Sequence, residues 1–211
     1  VKFSVPESLI VVSHSGIDAT KWHKENRCVP LNFAFLNREK YARQRMTGRY
    51  GCDVYQVIGE QADSMRYEQL CRFVEESTQW FEEKYGEKNL CNRYGTATYP
   101  AFIFHNGNSS FNRYNMGFIS ASQEKFATYP DIYPIIHEIG HRWMGEYTMF
   151  INSGERGYAF IIETLNEFMT LMCIRDIVGA EVYEAILNSY RANWEAIRGT
   201  EQDIHPIDVT D

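Results

Sequence analysis

Apolar positions along this chain recur first with the two-residue period of strands and later with the longer period of helices. Val1 to Val12 alternates around Pro6, and Leu31-Asn32-Phe33-Ala34-Phe35 and Asp53-Val54-Tyr55-Gln56-Val57 are short apolar or alternating runs. Turn residues separate them at 13–18, 24–30 and 48–51. Residues 1–60 therefore read as the end of an N-terminal β-domain that opens in mid-strand, and the chain as a piece of a longer protein. From about Asp63 to Tyr85 the spacing predicts an amphipathic helix. Met65, Leu70, Phe73, Val74, Trp80 and Phe81 form its apolar face, Glu75, Glu76, Glu82 and Glu83 lie mostly opposite, and Gly86 caps its end.

Ala97 to His105 reads as a strand, and Met116 to Ser120 as a second, shorter one. A helix is predicted from near Asp131, with Pro134 in its first turn, to Gly145. A second runs from about Tyr158 to Val178 and ends at Gly179. A third, about Ala180 to Arg198, carries Val182, Ile186, Tyr190 and Ile197 on one face. Strands followed by helices predict an α+β fold.

With 211 residues and 44% hydrophobic content, the chain can build one substantial core, or one core plus a small appendage. A net charge of -7 argues against nucleic acid, whose phosphates need clustered Lys and Arg. No apolar run reaches the ~18 residues of a membrane-spanning helix. The five cysteines (Cys28, Cys52, Cys71, Cys91, Cys173) are odd in number and contain no C-x-x-C pair, which disfavours a cysteine metal site and leaves the compartment open.

The chemistry concentrates in Ile135-Ile136-His137-Glu138-Ile139-Gly140-His141-Arg142-Trp143, which contains H-E-x-x-H. On a helix, four residues return to within roughly 40° of the same face, so both imidazoles point one way and form half of a zinc site. Glu138 sits beside the open coordination position, where a general base belongs. A third ligand is expected on the next helix, where Glu163 and Glu167 lie one turn apart among Ile162, Leu165 and Phe168. An unpaired carboxylate there is costly, and a metal removes that cost. His14, His23 and His205 fall in predicted loops, and His105 ends a strand as a weaker cleft candidate.

His137-Glu138-x-x-His141-x-Trp143, with a glutamate in the following helix, resembles the gluzincin metallopeptidases, and Trp143 points to the aminopeptidase N and leukotriene hydrolase family in particular. That resemblance implies a thermolysin-like catalytic domain over 61–211, one Zn2+ per chain on His137, His141 and Glu163, Glu138 as base, and a peptide or protein substrate. The family's usual spacing from His141 lands on Phe160, which cannot bind a metal, so the intervening loop is longer here. Glu163 matches the family ligand through Phe168 and Gly179 downstream, although Thr164 replaces the family's glycine. Glu167, preceded by Leu165-Asn166, mimics the family's L-N-E and is the alternative ligand, or a group that orients a ligand histidine.

Arg113-Tyr114-Asn115-Met116-Gly117-Phe118-Ile119 matches the stretch with which the family grips its substrate. Tyr114, Asn115, Gly117 and Phe118 are the candidate contacts, and the strand near Gly117 to Ile119 is expected to run along the substrate as a sheet edge. Tyr114 stands where the family has its amine-binding glutamate. The implied activity is therefore aminopeptidase-like hydrolysis or, alternatively, an endopeptidase or a zinc-containing peptide-binding domain with little catalysis. The family's transition-state tyrosine is expected beyond Asp211, in the remaining domains of a longer chain. Tyr183 and Tyr190 are read as packing residues.

Overall fold

The computed structural model describes residues 2–13, 21–23, 33–46, 53–61, 63–86, 101–105, 113–114, 118–122, 133–144, 155–205 and 208. The fold is α+β, as expected. Its strands are β1 (Lys2–Ser4), β2 (Leu9–Ser13), β3 (Lys21–His23), β4 (Phe33–Asn37), β5 (Tyr41–Arg45), β6 (Asp53–Val57), β7 (Ala101–His105), β8 (Arg113–Tyr114) and β9 (Phe118–Ser122). Its α-helices are α1 (Ser64–Tyr85), α2 (Tyr133–Gly140), α3 (Leu165–Ile177) and α4 (Ala180–Ile197). The described residues divide into two compact units, drawn from Val1–Glu75 with Glu87–Ile139, and from Glu76–Gly86 with Gly140–Asp211.

In the first unit, β1 pairs with β3 and β2 with β4, both antiparallel. A five-stranded sheet has the order β5-β6-β7-β9-β8. Its centre is parallel, β6 with β7 and β7 with β9, while β5 and β8 are antiparallel edges. Successive side chains of β7 point to opposite faces. Ala101 and Ile103 join Ile10, Val12, Leu36 and Tyr55 in one apolar cluster. Phe102 and Phe104 are fully buried on the other face, their rings stacked at 6.4 Å. Burial on both faces is what a central parallel strand requires, and it explains why the run Ala101-Phe102-Ile103-Phe104 is apolar throughout.

This sheet crosses the domain boundary expected near residue 60, because β5 and β6 belong to it together with β7 and β9. The strand β5 lacks apolar alternation, since Arg43, Gln44 and Arg45 are all exposed. Two of them are held by Asp53 at the start of β6, Arg43 at 2.9 Å and Arg45 at 3.0 Å, which pins the register of the pair. Of the edge strand expected at 117–119, residue 117 lies outside the described residues, and β9, which starts at Phe118, is an inner strand between β7 and β8; among the described residues β8 is the edge on that side.

The second unit packs the end of α1 with α3. Helix α1 spans nearly the predicted residues and ends at Gly86, which adopts φ +88°. Leu70, Phe73, Val74, Trp80 and Phe81 are buried as the periodicity predicts, but Met65 is exposed. Trp80 donates its indole N–H to Asp176 of α3 at 2.9 Å. Met169, Leu171, Cys173 and Ile174 of α3 are buried. Gly179 turns the chain from α3 into α4 at φ +133°, a backbone conformation that side chains disfavour. The predicted α4 face, Val182, Ile186, Tyr190 and Ile197, is half-buried.

Candidate metal centre

His137 and Glu138 lie near the end of α2, which the buried side chains of Ile135, Ile136 and Ile139 anchor. Glu138 itself is 6% exposed. The helix predicted to run to Gly145 stops instead at Gly140, and Gly145 lies outside the described residues. The backbone N–H groups of Trp143 and Met144 both return to the Gly140 carbonyl, at 2.8 and 3.1 Å, so residues 141–144 form a turn. His141 therefore sits just past the helix. Its Nδ1 is 3.1 Å from the Met144 carbonyl oxygen. In the neutral ring that nitrogen carries the proton and donates, which leaves the Nε2 lone pair for a metal.

The turn is fixed from below by Trp143. Its ring stacks on Phe81 with centroids 5.0 Å apart, and its Nε1–H donates to the Gly86 carbonyl at 2.9 Å. Trp143→Phe keeps an aromatic face but removes that hydrogen bond. It is expected to lower unfolding free energy by about 1 kcal/mol, read as a lower urea midpoint at an unchanged slope.

Glu163 arrives on an unexpected structure. The helix predicted as continuous over 158–178 contains a π-helical segment at Phe160–Thr164, where the N–H of Leu165 donates to the carbonyl of Phe160. Such widened turns recur at functional sites. Glu163 Oε2 lies 3.4 Å from His141 Nε2. One ligand atom from each of His137, His141 and Glu163 falls within a common 4.8 Å, a group able to hold a metal ion. Two imidazole nitrogens and one carboxylate oxygen, with one imidazole already oriented by a carbonyl, fit a cation of borderline softness.

Glu163 is not buried among apolar neighbours, contrary to expectation. The Glu163 side chain is 55% exposed, and Leu165 and Phe168 are exposed as well. What brings Glu163 to the histidines is position. Glu167, one turn on, is half-buried, and its carboxylate accepts a hydrogen bond from the Tyr190 hydroxyl. Tyr190, expected only to pack, thus ties α4 to α3.

Of the four candidate substrate contacts, Tyr114 lies on β8 opposite Ile119, and Phe118 lies on β9 opposite Ala101. Asn115 and Gly117 fall outside the described residues. His105 ends β7 opposite Ser122. Among the described residues the free thiols are Cys71 and Cys173. Burial pushes both up from the usual thiol range, so neither offers a thiolate near neutral pH. Asn166, which the sequence offers only as part of the L-N-E resemblance around Glu167, is fully buried beside the motif.

No protein-family profile matches this chain, and no curated protein matches it either.

Proposed function

We propose that this chain is a zinc-dependent metallopeptidase that hydrolyses peptide bonds, with Glu138 as general base. The observation that supports it most is the convergence of His137, His141 and Glu163 next to a buried glutamate. Those three residues would hold the ion, since two imidazoles and one carboxylate, with a fourth position open, are a common catalytic zinc donor set. When bound, zinc supplies Lewis acidity to the scissile carbonyl and to a water molecule. Glu138 takes a proton from that water on its carboxylate and then gives it to the nitrogen of the leaving amine. As a sheet edge, β8 offers backbone hydrogen-bonding groups to an extended peptide.

Tyr114 favours keeping a second reading. It stands on that edge strand at the position where the resembled aminopeptidases hold the substrate's free amine with a glutamate. A tyrosine carries no negative charge to pair with a free N-terminal amine, and endopeptidase action is the alternative. A peptide-binding domain with weak catalysis is the third.

One set of assays separates these readings: hydrolysis of free-amine and N-acetylated peptides of the same sequence, before chelation, after it, and after zinc is restored. The expected result is cleavage that stops on chelation and returns with zinc. A strict requirement for the free amine identifies an aminopeptidase, and equal cleavage of both peptides an endopeptidase. Zinc-loaded protein that binds peptides without cutting them would leave the binding-domain reading, or a chain that lacks the tyrosine expected beyond Asp211, and the same assay on a longer chain separates the two.

A further inference from the structure

The motif and the helix that follows Glu163 meet at a point of close packing. Gly140 directly precedes His141, and Asn166 lies three residues after Glu163. A carbon placed at the Cβ position of Gly140 overlaps Asn166 Oδ1, and comes within 3.0 Å of Phe81 Cζ and 3.2 Å of Asn166 Cγ. Neither neighbour has room to retreat. Asn166 and Phe81 are both 0% exposed. Phe81 is stacked on Trp143, and the Asn166 carbonyl is bonded by the Thr170 hydroxyl at 2.9 Å. Glycine is thus required at residue 140 for close approach rather than for backbone freedom.

An amide at the bottom of a core is an expensive way to fill space, and an apolar residue of similar volume does it at lower cost. We propose that Asn166 is a positioning residue for the metal group, with its side chain setting how closely the His141 turn approaches the segment bearing Glu163. This role rests on the metal reading above. The contact is one residue from His141 and three from Glu163, whose facing atoms are 3.4 Å apart. A displacement at Gly140 therefore passes directly to one ligand and not to the other. Metal–ligand distances tolerate only about ±0.2 Å, so a displacement of that order is felt as lost affinity.

The test is a double-mutant cycle on the whole chain, using Gly140→Ala, Asn166→Ala and the double variant, each checked for wild-type far-UV circular dichroism. Zinc affinity is read by competition with a chelator, and site geometry by the visible absorption of the cobalt(II)-substituted protein, which a purely structural role leaves unchanged. Each single substitution is expected to weaken zinc at least about tenfold and to alter the cobalt spectrum. Adding Gly140→Ala to Asn166→Ala is expected to cost less than about threefold more, because the overlapping atom is gone and only the Phe81 Cζ contact at 3.0 Å remains. Should Asn166→Ala not fold, Asn166→Ser, which also removes the overlapping amide, carries the same comparison. If wild-type protein binds one zinc and Gly140→Ala costs the same factor in both backgrounds, or nothing in either, the positioning role is wrong. If wild-type protein takes up no zinc, the metal reading fails first and the positioning role goes with it.

Discussion

Glu138→Gln is expected to keep zinc bound at one equivalent per chain while slowing peptide hydrolysis by about 10²- to 10⁴-fold. The substitution exchanges one carboxylate oxygen for an amide nitrogen of nearly the same size, so the packing around this 6%-exposed side chain is conserved. On the proposed mechanism, what it removes is the ability to accept a proton from water and return it to the leaving amine. Because that work is done in the transition state, kcat and kcat/KM should fall together, with KM little changed. A Gln variant that cleaves at the parent rate removes Glu138 from the mechanism. One that loses zinc as well moves it into the ligand set.

The second large effect concerns the ligands themselves. His137→Ala and His141→Ala are each expected to weaken zinc by more than about a hundredfold, beyond what a group one step removed from the metal costs. The fold should survive, since Ile135, Ile136 and Ile139 rather than the imidazoles anchor α2. Circular dichroism should therefore stay constant while bound zinc disappears. Glu163→Gln should behave like the histidine variants. Glu167→Gln should weaken zinc far less, because the Glu167 carboxylate is engaged by Tyr190 and lies outside the group of converging ligand atoms. The reverse order, with Glu167→Gln the more damaging, would reassign the third ligand.

The parts of this fold legible in the sequence are those whose apolar side chains repeat at the period of their element or run unbroken where both faces are covered. Helix α1 is one, from Leu70 to Phe81, with Gly86 closing it. The strand β7 is another, apolar on both faces because both are covered. The strand β5 was not legible, since its polar outer residues are fixed by an ion-pair network with Asp53 instead of by burial. Met65 was misplaced because a face read from spacing alone extends past the point where the helix stops being covered.

The site divides in the same way. H-E-x-x-H points to two candidate ligands and a candidate base, and both of its histidines fall in the group of converging ligand atoms. The end of α2 at Gly140 could not be read, because glycine is tolerated inside helices, and what stops this one is the turn that brings Trp143, Met144 and the His141 ring back on the chain. The π segment under Glu163 leaves no trace in composition, since what sets it apart is which carbonyl a backbone N–H finds, as where Leu165 donates to Phe160. Burial, taken to favour either glutamate as a ligand, does not apply to the exposed Glu163, whereas the preference for Glu163 over Glu167, which rests on Phe168 and Gly179 downstream, agrees with the group that converges.

The most direct measurement is zinc content combined with zinc X-ray absorption on the purified chain. The expected result is one zinc per chain in a shell of nitrogen and oxygen only, at about 2.0–2.2 Å, with imidazole scattering from two histidines. A stoichiometry well below one, or a shell containing sulfur at about 2.3 Å, would contradict the assignment of His137, His141 and Glu163 as the metal centre.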